Sequence, residues 1–392
     1  MREVVVVGYA RTPFGSFRGS VSSIPAPKLG AIAIEGALKK AKVSPEHVSE
    51  VIMGSVLLAG QGQAPARQAA IYADIPKSVP CLTINKVCGS GMKSVMLGMQ
   101  SILLGDSEVV VAGGMENMSL APFLLAGARK GFQLGNQKVL DSMLEDGLWD
   151  PYHDQHMGNC GELCAKDLKI SRQEQDQYAI ESYQRAQSAW EQGKFNEEVV
   201  PAKIFGKRGK VTTVEKDEEP FKADLEKLKG LRAVFEKDGT ITAANASSIN
   251  DGACAMVLTS VEKAKELGLT PLAKIVSYAN FAQEPQWFTT APATAMKMAM
   301  EKANWSQGEV DLFEVNEAFS VVALAAQKEL NIDREKLNIW GGAVAIGHPI
   351  GASGNRITMT LISALKDQGK KKGVAGICLG GGEATALCVE IL

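Results

Sequence analysis

Residues 37–55, ALKKAKVSPEHVSEVIMGS, lie without a gap over residues 299–317, AMEKANWSQGEVDLFEVNE, pairing Lys40 with Lys302, Ala41 with Ala303, Ser44 with Ser306 and Val48 with Val310. Each segment reads as the end of an amphipathic helix, a polar turn and an apolar strand. Two further matches follow in the same order, SGMK (90–93) over SGNR (353–356) and AGGME (112–116) over LGGGE (379–383). Three ordered matches point to a duplicated fold rather than to chance likeness between two helices. Around the first copy, apolar runs alternate with helical patterns: strands at 4–7, 51–54, 82–84 and 108–112, and helices near 29–41, 64–73 and 90–104. That alternation predicts a largely parallel sheet covered by helices.

Between the copies the rhythm breaks from about 120 to 248, with Gly-punctuated loops, one long helical run (SRQEQDQYAIESYQRAQSAWEQGKF) and a charged segment. Such an insertion serves substrate binding or assembly more often than core stability. NDGACAMVLTSVEKAKELG (250–268) reads as strand and helix again, so the chain returns to its first half before the second begins near Pro271. The expected units are 1–119 with 249–270, an inserted domain at 120–248, and 271–392.

Lys plus Arg (42) nearly balances Asp plus Glu (44), which excludes a nucleic-acid or membrane-surface role resting on bulk charge. No apolar run approaches membrane-spanning length. Met1 is followed almost at once by VVVV, and the C-terminal VEIL is no peroxisomal signal, so a cytosolic protein is expected. Seven irregularly spaced cysteines suit reduced thiols.

Three residues in glycine-rich settings carry the chemistry. Cys88, in NKVCGSG, precedes a helical pattern whose free N–H groups and dipole would favour a thiolate. His348 lies in GGAVAIGHPIGASG, five glycines in fourteen residues, too poor in apolar side chains for a routine core position, so a base or oxyanion donor is favoured. Cys378 ends a strand and opens CLGGGE, where Gly380 and its neighbours can turn N–H groups toward a carbonyl oxygen. Asn316, in NEAF, is either a turn residue or a group that orients water. The competing reading of each cysteine is a small buried apolar residue. These glycines lack GxGxxG spacing and a following acidic residue, which excludes a nicotinamide fingerprint. His153, His156, Cys160 and Cys164 could share a helix face as a zinc set, but Pro151 and Gly158–Asn159 argue against a continuous helix there.

Taken together, RTPFGSF, QAPARQAA, NKVCGSGMKS, VAGGMENMS, HMGNCGELCA, TAANASSINDGA, EVNEAF, GGAVAIGHPIGASG and CLGGGE resemble the thiolases over essentially the whole chain. Within them the chain is most similar to the short-chain acetyl-CoA acetyltransferases. The resemblance implies an α/β fold of two βαβαβαββ halves in a layered α/β/α/β/α core with an inserted loop domain. It implies that Cys88 is acetylated, that His348 activates it, and that Cys378 is the acid/base for Cα of a second acetyl-CoA. Asn316 and His348 would serve one oxyanion hole, and the N–H groups of Cys88 and Gly380 the other. Coenzyme A contacts carry over to Leu148, His156, Met157, Phe235, Ala243, Ser247, Ala318 and Phe319, with Met157, Phe288 and Phe319 flanking a short acyl pocket.

Implied ligands are acetyl-CoA, acetoacetyl-CoA and CoA, as substrates and products rather than cofactors, in a homotetramer with its second interface around 123–142. Phe221 and Lys222 stand where many bacterial relatives place an arginine near the nucleotide. QEPQWFTTAP (283–292) resembles a branch part of which binds potassium, yet Pro220 or Phe221 replaces a coordinating tyrosine, which leaves potassium dependence open. The alternatives are a degradative 3-ketoacyl-CoA thiolase of broader chain length, a decarboxylating ketoacyl synthase, and a non-catalytic acyl-CoA binder. A binder would be expected to have lost Cys88, His348 or Cys378.

Overall fold

The computed structural model describes residues 2–206 and 209–392. In the first half, β1 (Val4–Arg11), α1 (Ala26–Ala41), β2 (Glu50–Gly54), α2 (Pro65–Tyr72), β3 (Cys81–Ile84), α3 (Ser90–Leu104) and β4 (Val109–Asn117) alternate along the chain. The insertion contributes α4 (Met157–Asp167) and α5 (Arg172–Glu191), the latter opened by a Ser171/Glu174 capping box. Then β5 (Asn250–Ser260) returns and pairs antiparallel with both β1 and β4. The second half runs β6 (Ala273–Ala282), α6 (Ala291–Ala303), β7 (Leu312–Val315), α7 (Ser320–Leu330), α8 (Ser353–Asp367), β8 (Lys372–Leu379) and β9 (Glu383–Ile391).

Strand order is β7-β8-β9-β6-β1-β5-β4-β2-β3, the same order in each half read outward from the centre. The halves join where β1 meets β6 through only Val5↔Lys274 and Val6↔Ala273. Alternation along the strands assigns their two faces. Val4 and Val6 face a core shared with Met92 and Val95 of α3 and Ile357 and Leu361 of α8, whereas Val5 and Val7 face α1. In the second half Leu387 and Val389 face that same shared core, while Ala384 and Ala386 face α6 and α7. Helices α3 and α8 therefore form the middle of five layers, and VVVV is apolar throughout because both of its faces are covered.

The repeat holds locally. Lys42 ends α1 with φ 56° and Asn304 ends α6 with φ 56°, 3₁₀ turns follow at 45–47 and 307–309, and α3 and α8 both begin at a Ser-Gly pair. Three details correct the sequence reading. The sheet is mixed rather than largely parallel, since only β7–β8, β4–β2 and β2–β3 pair parallel and the other neighbours in the order run antiparallel. Val110 pairs with Glu50 as Gly373 pairs with Leu312, so AGGME lies over residues 375–379 and not over LGGGE, whose glycines form a turn before β9. The second counterpart of β3 is reduced to one parallel bridge, Phe313↔Leu337.

The insertion is anchored through buried charge. Arg11 on β1 donates to Glu198 Oε2 at 3.0 Å and to both carboxylate oxygens of Asp217 at 2.7 and 2.9 Å, all three side chains fully buried. Breaking such a pair from one side typically costs about 3–5 kcal/mol, because the other charge is left without a partner. Among the described residues no helix is long and apolar enough to cross a membrane.

Candidate active site

Cys88 sits on the tight connection between β3 and α3. Val87 before it is held at φ 45°, an uncommon and strained conformation for a β-branched residue. The turn is clamped locally: Lys86 N donates to Ser90 Oγ at 2.8 Å, Ser90 Oγ donates to the Val87 carbonyl at 2.6 Å, and Val87 N donates to Asn85 Oδ1 at 2.9 Å. Burial pushes the Cys88 thiol up to about 12, while the N–H groups of Cys88 and Gly380 face the sulfur and pull the other way. The resting group is a thiol.

His348 comes from the second half and is buried. Its N–H donates to Asn250 Oδ1 at 2.9 Å, and its Nδ1 lies 2.6 Å from Ser353 Oγ. The Ser353 hydroxyl donates to the Pro349 carbonyl at 3.0 Å, so its oxygen accepts from Nδ1–H. That leaves the lone pair on Nε2, which is buried and has no hydrogen-bond partner. Burial, aided by the positive charge of Arg356, holds the imidazole down at about 3, so it is neutral near pH 7.

Cys378, at the end of β8, is fully buried, and its thiol is raised by burial and by the nearby Cys88 sulfur. The following turn passes through Gly381 and Gly382 at φ 89° and 81° and turns the Gly380 N–H back toward Cys88. Asn316, directly after β7, is fully buried with both amide side-chain atoms unpartnered. Buried amides are rarely left so, and a water or substrate oxygen is the partner this one calls for.

A cleft of about 430 Å³ brings the candidates together. Cys88, His348, Cys378 and Gly380 line one end, and Leu148, His156, Met157, Phe235, Ala243, Ser247, Phe288, Ala318 and Phe319 line the walls; Asn316 is not among the lining residues. Ser247 is fixed by donating to the Ala318 carbonyl from its hydroxyl at 2.8 Å and its N–H at 3.0 Å. His156 stacks on Phe235 with ring centroids 4.7 Å apart, and its Nδ1 accepts from Gly158 N at 3.0 Å.

The cysteines of the zinc set sit inside α4, whereas His153 lies before the helix and pairs with Asp150 at 2.8 Å and His156 caps it. Gly158 and Asn159 form the first turn of that helix rather than interrupting it. Among the described residues no three His, Cys, Asp or Glu side chains are grouped as a metal site. Lys222 donates to Ser16 Oγ at 2.7 Å and pairs with Glu218 at 3.3 Å, while Phe221 is exposed.

Sequence reasoning missed Asn250, Ser353 and Glu116. Glu116 is buried and accepts N–H bonds from Val56 at 3.0 Å, Leu57 at 3.1 Å and Gly351 at 2.9 Å, which ties the His348 loop to the first half. Its position two residues after the Gly113–Gly114 pair in a buried strand, and the position of Ser353 five residues after His348, were the available signals.

The N-terminal thiolase domain model matches residues 4–262 and the C-terminal thiolase domain model residues 269–391. The chain belongs to the thiolase family. It is 56% identical to acetyl-CoA acetyltransferase 2 of Arabidopsis thaliana, with all of this chain and 98% of the relative covered. To acetyl-CoA acetyltransferase of Cupriavidus necator it is 52% identical over the full length of both. Among solved structures, the Bacillus anthracis acetyl-CoA acetyltransferase superposes with TM-score 0.97 at 42% identity, covering 100% of this thiolase and 99% of that chain. The Acat5 thiolase of Ascaris suum in complex with coenzyme A superposes with TM-score 0.94 at 45% identity over the full length of both.

If Ser353 fixes the tautomer of His348, Ser353→Ala is expected to lower kcat about tenfold or more with KM changed less than threefold, since the base loses orientation while the binding walls stay intact. Steady-state kinetics on the folded variant check this. An unchanged kcat would remove Ser353 from the account.

Proposed function

We propose that this thiolase is an acetyl-CoA C-acetyltransferase, interconverting two acetyl-CoA with acetoacetyl-CoA and CoA by Claisen chemistry. The observation that carries the reading is the convergence of two thiols, one neutral imidazole and outward-facing N–H groups at the end of one apolar cleft.

In the first stage the Cys88 sulfur attacks the thioester carbonyl as its proton passes to His348 Nε2. Negative charge on the carbonyl oxygen is met by the N–H groups of Cys88 and Gly380. The C–S bond to coenzyme A breaks, and the departing thiolate takes the proton of the Cys378 thiol, leaving Cys378 as a thiolate beside protonated His348. In the second stage a new acetyl-CoA places its carbonyl oxygen between His348 and a water on Asn316, and Cys378 removes a proton from Cα. The enolate attacks the acetyl carbon on Cys88, a C–C bond forms, and the Cys88–acyl C–S bond breaks. Cys88 then recovers the proton held by His348, and Cys378 keeps the proton from Cα, which restores both thiols and the neutral imidazole. Two chemically different oxyanions, one tetrahedral and one an enolate, account for two separate sets of donors.

The apolar walls suit a pantetheine arm. Met157 lies beside Gly380, with Phe288 and Phe319 also buried, which closes the reacting end to long acyl chains. Leu120, Phe123, Leu125, Phe132, Leu134 and Val139 are exposed on one excursion of the insertion, which supports the proposed tetramer contact around 123–142.

Two outcomes test this reading. Acetoacetyl-CoA is expected to be preferred at least tenfold in kcat/KM over six-carbon and longer 3-oxoacyl-CoA, since a misplaced methylene costs about 1–3 kcal/mol; comparable efficiency on eight-carbon esters would assign a degradative enzyme instead. Mass spectrometry after brief exposure to acetyl-CoA is expected to find acetyl on Cys88 in the wild type and in Cys378→Ala, and none at that position in Cys88→Ala. Turnover should vanish in Cys88→Ala and fall by at least 10²–10⁴, the usual worth of a general base, in Cys378→Ala. Acetyl on Cys378 instead would reverse the assigned roles.

A further inference from the structure

The side chain of Asn316 has no protein partner, so its place is set by the backbone on either side of it. Its own N–H donates to the Gly376 carbonyl of β8 at 3.0 Å. The next residue is Glu317, fully buried, whose carboxylate is met by four neutral donors. Oε1 accepts from the Tyr178 hydroxyl and from Asn338 Nδ2, each at 2.8 Å, and Oε2 accepts from the Ser182 hydroxyl at 2.8 Å and from Val344 N at 3.1 Å. Each oxygen accepts twice, as an ionised carboxylate can and a neutral amide cannot.

The donors come from three separate places. Tyr178 and Ser182 lie one turn apart on α5 of the insertion. Asn338 covers the open side of β7 as a neighbouring strand would, accepting from Val315 N and donating to the Val315 carbonyl, both at 2.8 Å. Val344 belongs to the one-turn helix Ala343–Ile346, which ends at Gly347, directly before His348. Ser182 also accepts from Gly342 N at 3.0 Å, and a Cβ at Gly342 would lie 2.3 Å from the carboxyl carbon of Glu317, so the start of that helix rests against the carboxylate.

We propose that Glu317 is a positioning residue for carbon–carbon bond formation: its carboxylate fixes Asn316 relative to the His348 loop, with α5 of the insertion as the clamp. The proposal rests on the acetyl-transfer reading above, in which His348 and a water on Asn316 share the enolate oxygen. His348 has other anchors, since its N–H is held by Asn250, its ring by Ser353 and its loop by Glu116 at Gly351. Asn316 has only the Gly376 bond besides. Releasing the clamp therefore displaces Asn316 more than His348 and leaves the Cys88 and Gly380 N–H groups where they are. Donors to a developing oxyanion act only when they are held in place, so the loss falls on the enolate stage.

The test is Glu317→Gln in the full-length enzyme, a change of equal size that turns an amide NH₂ onto two of the four donors. Two single-turnover rates are measured on wild type and variant: acetyl transfer from acetyl-CoA to Cys88, and formation of acetoacetyl-CoA when the acetylated enzyme meets fresh acetyl-CoA. Glu317→Gln is expected to slow the second at least tenfold and the first less than threefold. Tyr178→Phe removes one donor and leaves the carboxylate, and is expected to slow the second at least threefold with the first within twofold; it decides the matter if Glu317→Gln does not fold. In an Asn316→Ala background, Glu317→Gln is expected to cost less than a further threefold, because no amide is left to position. Equal losses in both stages, an undiminished effect in the Asn316→Ala background, or unchanged condensation in the folded variants would each overturn the positioning role while wild-type turnover stands. A wild type that forms no acetyl-Cys88 or no acetoacetyl-CoA would overturn the acetyl-transfer reading, and the positioning role with it.

Discussion

The site depends on two helix N-termini that touch backbone to backbone. A Cβ at Gly91 of α3 would lie 2.9 Å from the Gly351 carbonyl oxygen and 3.0 Å from that of Ala352, and a Cβ at Gly354 of α8 would lie 2.6 Å from Met92 N. The two glycines hold equivalent places in the repeat, so each half inserts its helix start into the other's. No side chain fits at either place without moving backbone. This contact brings Cys88, three residues before Gly91, and His348, six residues before Gly354, to the same cleft, between two halves whose strands share only two paired positions.

The same closeness sets the chemistry. A dry seam disfavours charge, so thiols rise and the imidazole falls. A preformed thiolate–imidazolium pair is therefore not the resting state, and the proton leaves sulfur as the acyl carbonyl arrives and takes up negative charge against the Cys88 and Gly380 N–H groups. Keeping the nucleophile uncharged until then also explains why His348 is held by neutral partners, Ser353 and Asn250, rather than by a carboxylate. Glu116 binds the loop by its backbone at Gly351 instead.

The duplication was legible because it is written in periodic features: helix ends, left-handed caps and strand starts recur at a constant spacing. Cys88, His348 and Cys378 were legible because glycine-rich surroundings single out a reactive side chain. The AGGME–LGGGE match misled because strings of glycine resemble one another by composition, while strand register is decided by which backbone groups pair. Ser353, Asn250 and Glu116 escaped notice for another reason. Each acts through one hydrogen bond or a few, and Asn250 and Glu116 reach loops about a hundred residues or more away. The walls of the acyl cleft have no periodic signature either, since Leu148, Phe235 and Phe288 come from separate loops and meet only in the folded chain; family resemblance, not patterning, pointed to them.

The claim that Cys88 and His348 work as a neutral pair across the seam is tested most directly by the pH dependence of acetyl transfer to Cys88, followed by rapid quench and mass spectrometry in a single turnover. With the imidazole titrating near 3 and the thiol near 12, the rate constant is expected to stay within about threefold from pH 6 to 9. Activity would fall only as strong acid protonates Nε2. A rate that climbs about tenfold per pH unit through pH 7–9 would show that ionisation of the thiol precedes attack, and would contradict the neutral pair.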